Sequence, residues 1–326
     1  MNKNLCNQPL KNAAPDSLRP IDNSAVHSLD HFAMDVPDLD EAMNFYRAFG
    51  LDARVDGDSV GLYAPNNSQR WAVLRKAVRK RLTGLCFRVY PSEIAALRER
   101  LMARGFTLQR HDGESFSVHD PDGLEIEICA GGRVTVDEKA PFVIHSAPAG
   151  KQAVWPCAAV PLFSPQRLSH IAIFCSDVDR AIEFYCGVLG LAVSDRSSSM
   201  LAFLHSVHGS DHHILALAKS TGPGMHHCSW DMGSIDAIEL SAARIAEAGY
   251  RAGWGLGRHV LGSNYFHYIR DPWGSYCEYT ADIDYIPAGC GWRGGDHAPQ
   301  DAMYLWGPNP PADFIVNHEV EAAVQG

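Results

Sequence analysis

The sequence predicts an α+β fold built as two tandem modules of paired βαβββ repeats. Three observations point there: a duplicated strand–helix segment, a duplicated Asp-Pro turn leading into a strand, and helix punctuation at matching places. LDHFAMDVPDLDEAMNFYRAFGL begins at Leu29 and LSHIAIFCSDVDRAIEFYCGVLGL at Leu168. Repetition on this scale signals the architecture before any single element is assigned. Each copy reads as a short strand, an Asp cap (Asp38, Asp177), an amphipathic helix and a Gly stop (Gly50, Gly190).

The remainder of each module repeats as well. LTGLCFRV from Leu82 parallels MHHCSWDM from Met225, and each precedes a helix rich in Ala, Leu and Ile, over 92–104 and 235–248. Both helices run into glycine, Gly105 and Gly249. HDPDGLEIEI from His119 parallels RDPWGSYCEYT from Arg270, a tight turn followed by a strand. The chain therefore divides into an arm (1–26), a first module (27–145), a connection (146–166), a second module (167–285) and a tail (286–326). The tail is rich in Gly, Pro and Trp without helical period, and reads as an ordered strap or as a cover.

Totals set the broad class. With 326 residues, 46% of them hydrophobic, the chain can bury more than one average core. A net charge of −10 argues against a broad footprint for nucleic acid or anionic membrane. Nine scattered cysteines without a CxxC pair suit reduced thiols in a cytoplasm better than a disulfide framework. The first 23 residues carry no apolar signal-peptide core, and no run is long enough to span a bilayer. A soluble cytoplasmic protein is expected.

The repeat also shows which metal-binding side chains converge. His170, His227 and Glu278 occupy equivalent strand positions in the second module, against His31, Gly84 and Glu127 in the first. The first module has lost its middle ligand and reads as structural. Two histidines and one carboxylate leave coordination positions open, the arrangement expected of an Fe(II) that meets both substrate and O2. Mn(II) suits the same donors. Taken singly, His170 reads as a core histidine. Strand alternation sends His226 and His227 to opposite faces, so only one of them can be a ligand. Glu278, between Cys277 and Tyr279 in an apolar strand, is expensive to bury unless paired or metal-bound.

With LSHIAIF, DHHILALAK, MHHCSWD and GRHVLGSNYFHYIRDPWGSYCEY in view, the sequence resembles the vicinal oxygen chelate superfamily. Within it, the chain from about Leu29 onward is similar to the type I extradiol catechol dioxygenases. The resemblance implies His170, the second of the paired histidines (His227) and Glu278 as metal ligands. It implies His213, His259 and Tyr268 as the catalytic shell, with Tyr268 ten residues before Glu278 and nine after His259. It further implies a catechol-type substrate with O2, Ala172 and Phe203 beside the aromatic ring, and a homo-oligomer. In these roles His259 and Tyr268 take up the substrate's proton, and His213 attends the oxygen. An Asp common three residues after the GRH histidine is Gly262 here, which leaves open any proton relay through that position. His205, His208 and His212 carry no role on this reading, and His213 could be one of several surface histidines. Two rivals share the fold: a glyoxalase-like isomerase, which draws ligands from two modules, and a metal-free ligand-binding protein.

Overall fold

The computed structural model describes residues 24–111 and 113–320; most of the expected N-terminal arm, Cys6 and the end of the tail lie outside the described residues. The first module runs β1 (Val26–Val36), α1 (Leu39–Phe49), β2 (Asp52–Asp56), β3 (Ser59–Tyr63), β4 (Arg70–Lys76), β5 (Arg81–Val89), α2 (Ile94–Ala103), β6 (Gln109–His111), β7 (Ser115–His119) and β8 (Glu125–Ala130). The second runs β9 (Arg167–Cys175), α3 (Val178–Tyr185), β10 (Leu191–Ser197), β11 (Leu201–Ser206), β12 (Ser210–Asp211), β13 (Leu215–Lys219), β14 (Gly224–Asp231), α4 (Ile235–Glu247), β15 (Gly253–Arg258), β16 (Tyr265–Arg270), β17 (Tyr276–Ala281) and β18 (Tyr285–Ile286).

Each module is one eight-stranded sheet, ordered β2-β3-β4-β1-β5-β8-β7-β6 and β10-β11-β13-β9-β14-β17-β16-β15. The order makes the pairing of repeats explicit. One βαβββ unit supplies each half-sheet, and the halves meet at an antiparallel seam, β1 on β5 or β9 on β14. Inside each half the first strand pairs in parallel with the last, as β14 does with β17. A parallel pair needs a crossover, and the helix with its two following strands provides it.

Most helix signals work locally as read, but α3 ends at Tyr185 with Cys186 as its cap, well before the expected stop at Gly190. Asp38 and Asp177 accept backbone N–H bonds at the starts of α1 and α3, and Ser234 does so for α4. Gly50 closes α1 at φ +103°, a left-handed conformation that a side chain would strain. Apolar faces of these helices then lock the modules together. The Phe49 ring of α1 stacks on Tyr279 of β17 with centroids 4.0 Å apart, and the Tyr279 hydroxyl donates to the Phe49 carbonyl. Reciprocally, Tyr185 of α3 reaches into the first module, where its hydroxyl donates to Asp120. One continuous hydrophobic cluster results, running from Val26 to Ala281.

The tail behaves as a strap. Glu319 accepts from the backbone N–H groups of Leu82 and Met225 and pairs with buried Lys80, so it ties β5 and β14 to the chain end. Eight described cysteines are unbridged. Among the described residues no helix is long and apolar enough to cross a membrane.

His27 marks the seam. It is fully buried, with Nε2 on the Gly131 carbonyl at 3.1 Å and Nδ1 on Ser28 Oγ at 2.8 Å. Burial lowers its pKa to about 4. The fold thus holds it neutral, while the unfolded chain takes up a proton below about pH 6.5. Its contribution is complete above that pH and fades as pH falls towards 4, by up to about 3 kcal/mol. Urea unfolding of wild type and His27→Asn between pH 4 and 7 should give a shallower loss of stability in the variant. Parallel profiles would remove His27 from the account.

Candidate metal centre and its cavity

Strands β9, β14 and β17 lie side by side, and their register pairs Ala172 with His227 and Ser229 with both His170 and Glu278. That register brings three side chains to one point. His170 Nε2 lies 3.2 Å from both His227 Nε2 and Glu278 Oε2, and His227 Nε2 lies 3.6 Å from the same oxygen. Glu278 is fully buried, yet its Oε2 has no hydrogen-bond partner. Neighbouring ligands of an octahedral ion with bonds of about 2.1 Å sit about 3 Å apart. The triangle therefore fits a divalent cation, and the orphaned oxygen is the observation that calls for one. A facial set of this kind leaves positions open for other ligands.

The electrostatics agree. Burial pushes the His227 imidazole well below the usual histidine range, with the charge of His226 adding to it, so it is neutral and able to ligate. Burial opposes ionisation of Glu278. The histidines beside it, His170 and His259 first and then His227, outweigh it and hold the carboxyl well below its usual range.

Each ligand's second nitrogen is occupied, which fixes where the first one points. His170 Nδ1 is 3.3 Å from Ser169 Oγ, whose hydroxyl donates to Asp211, itself clamped by Arg167. His227 Nδ1 is 2.6 Å from His226 Nδ1. Here the sequence expectation needs correction. Strand alternation should have sent His226 to the opposite face, but a β-bulge lies between Met225 and His227 in the pairing with β9. An extra residue in one strand breaks the alternation. His226 therefore lines the same cavity as His227. Burial lowers its pKa to about 4, and its ring bonds to the Phe314 carbonyl of the tail.

The three further histidine and tyrosine positions also converge. The His259 Nδ1–H donates to the Met303 carbonyl, which leaves Nε2 to accept from the Tyr268 hydroxyl at 3.0 Å. Burial, then the charge of Glu278, raises the Tyr268 pKa well above its usual value, so the phenol keeps its proton. His213 packs its ring 4.1 Å from that of His170 and is not a surface residue. Burial, then the charge of His170 and His212, lowers its pKa well below the usual range.

His212, without a role on sequence grounds, stands directly behind it. The two Nδ1 atoms are 3.0 Å apart, and His212 Nε2 is 2.8 Å from Asp195. Asp195 also accepts from the Gly295 N–H and from His297 at 2.6 Å, both in the tail. Burial works against its ionisation, but the bonds from His212, Gly295 and His297 hold its carboxyl below the usual range. Gly262 borders this pair, at φ +87°, and a Cβ there would meet His212 Nδ1 at 3.3 Å. The carboxylate behind His212 is Asp195, from another strand. His205 is buried against Ser194, and His208 pairs with Glu93 outside the cavity.

These groups enclose a cavity of about 100 Å³. Ala172 and Phe203 line it, as do Trp254, Leu261 and the tail residues Met303 and Phe314. The tail is thus both strap and wall. Asn264, which donates to Glu278 at 3.3 Å and to Thr280 at 2.8 Å, has no signal in the sequence. For the tail the only hint was its aromatic content.

Two units of this architecture with a two-histidine, one-carboxylate centre define a family. Residues 28–128 and 167–279 match the Glyoxalase/Bleomycin resistance protein/Dioxygenase superfamily, and the chain belongs to it. It is 44% identical over 299 residues to metapyrocatechase 2 of Cupriavidus necator, covering 90% of this chain and 93% of that protein. Two solved structures share the fold. One is a catechol 2,3-dioxygenase (TM-score 0.69, 20% identity, 90% of this chain and 98% of that one). The other is the Mn(II)-bound glyoxalase from Novosphingobium aromaticivorans (TM-score 0.70, 24% identity, 88% and 93%).

The bulge makes a specific forecast. His226→Ala removes the support of His227 and should weaken metal binding by about 10–100-fold. His227→Ala should abolish retention. Metal content after dialysis against graded chelator measures both, and a wild-type affinity in His226→Ala would refute the supporting role.

Proposed function

We propose that this protein is an extradiol (meta) ring-cleaving dioxygenase that inserts both atoms of O2 into a catechol or substituted catechol. The observation that carries the reading is the meeting of His170, His227 and Glu278 with His213 and the Tyr268–His259 pair around one apolar cavity. The relation to metapyrocatechase 2 over nearly the whole chain supports it. The glyoxalase-like alternative is disfavoured because all three ligands come from the second module.

A divalent ion bound there, Fe(II) in this proposal with Mn(II) suited to the same donors, supplies one centre for diol and O2. The chain's own groups handle the protons. His259, with Nδ1–H held by Met303, presents Nε2 as acceptor, and Tyr268 bonded to it passes on the proton that a catechol loses on binding. His213 attends the oxygen. The ionised Asp195 accepts from His212 Nε2–H, which leaves His212 Nδ1 to accept from His213 Nδ1–H, so neutral His213 presents Nε2 as an acceptor. When Nε2 takes up a proton released by the substrate, the Nδ1 proton passes to His212, so His213 stays neutral and becomes a donor at Nε2 without any side-chain movement. The ring carbon bond broken lies beside the diol, and the product is of the muconic semialdehyde type.

Among the described residues the cavity wall carries no Lys or Arg, and Glu278 is its one carboxylate. A carboxylated catechol would bury its charge without a partner, at a cost of several kcal/mol. Unsubstituted or apolar-substituted catechols are the substrates this wall accepts.

Anaerobically Fe(II)-loaded protein given catechol or 3-alkylcatechols should take up one O2 per catechol and form a yellow product. Carboxylated catechols should turn over far more slowly. Absence of O2 uptake with every catechol would overturn the reading. Asp195→Asn should keep metal and KM but lower kcat by about 10–100-fold, within the range of general acid–base effects. Steady-state oxygen-electrode kinetics with metal analysis separate the two terms, and an unchanged kcat would show that Asp195 is only structural.

A further inference from the structure

The two sheets share one register, so positions compare strand by strand. In the first sheet Ala33 pairs with Gly84, His31 with Cys86, and Cys86 with Glu127. In the second, Ala172 pairs with His227, His170 with Ser229, and Ser229 with Glu278. Gly84 therefore occupies the place of His227, and Cys86 that of Ser229. Residues two apart on a strand share a face. The first sheet has lost a donor at 84 but offers a thiol one step along the same face. Cys129 stands two beyond Glu127 and adds another.

The side chains meet. Cys86 and Cys129 Sγ are 3.5 Å apart. Donor atoms of Cys86, Glu127 and Cys129 all lie within 4.8 Å of one another, and His31 and Asp30 lie within the same distance of Cys86. They line a polar cavity of about 460 Å³.

We propose that Cys86, Cys129 and Glu127 form a second metal site for a thiophilic divalent cation of the zinc class, with His31 beside Cys86 at its edge. Thiolate and carboxylate donors suit zinc, whereas the His170, His227 and Glu278 centre contains no sulfur. Two sulfurs in a tetrahedral site with bonds of about 2.3 Å lie about 3.8 Å apart, close to the separation seen. Asp30 accepts from His31 Nδ1 at 2.6 Å, which leaves Nε2 with the lone pair, and Arg88 holds Asp30 in turn. Binding releases two thiol protons. Two thiolates and one carboxylate around a divalent ion leave one net negative charge. Arg70, Arg75 and Arg88 line the same cavity and offset it.

The test uses the full chain, reduced and stripped of metal, then titrated with Co(II). A thiolate-to-Co(II) charge-transfer band in the near ultraviolet reports only sulfur ligation and is silent at the His170 centre. Wild type should bind two equivalents and show the band. Cys86→Ser and Cys129→Ser should each lose the band and weaken the second equivalent at least 100-fold, while keeping one equivalent and catechol-dependent O2 uptake. His227→Ala should keep the band. Fully reduced wild-type protein without a band overturns the proposal, as does a Cys86–Cys129 disulfide forming in protein that takes up no second metal. Loss of the dioxygenase reading would leave the band untouched, so the two ideas fail separately.

Discussion

The constraint on which the rest depends is a carboxylate buried without a partner for one of its oxygens. Glu278 lies in a strand whose residues are all buried. An uncompensated charge there would cost several kcal/mol, enough to threaten a fold of ordinary stability. Two neutral imidazoles and a cation remove that cost, and each imidazole must then be held by its other nitrogen. Four histidines around the cavity each have such a support. His170 leans on Ser169, His227 on His226, His213 on His212, and His259 on Met303. The supports lead outward to Asp211, Phe314 and Asp195, and two of these lines end in the tail. A strap that also completes the hydrogen bonding of ligands cannot be exchanged without disturbing the centre.

The duplicated register explains why two sheets of one design differ in chemistry. Both present a row of side chains across their three central strands. In the second sheet the row is enclosed by the tail and is apolar around its ligands. In the first it opens on arginines and cysteines. The first module still contributes to the second through Phe49 stacked on Tyr279, the strand that carries Glu278. Its sheet therefore steadies the centre from behind, whatever its own face binds.

What the sequence by itself determined is what depends on local order. Asp38, Asp177 and Gly50 punctuate helices because capping needs only neighbouring residues. The strand positions of His170, His227 and Glu278 follow from duplication, and the family resemblance supplied the places of His259 and Tyr268, the latter paired with Glu278 across β16 and β17. Ala172 and Phe203 reach the cavity for the same reason of alternation. Only the tertiary structure decided the rest. The bulge at His226 arises from pairing with β9, which no period within β14 reveals. Asp195 and His297 stand behind His212 through contacts 17 and 102 residues apart in the chain. Phe314 and Met303 become cavity walls because a segment without periodicity finds its place only against a finished surface. That Cys86 shares a face with Gly84, His31 and Glu127 is visible only when register and facing are known.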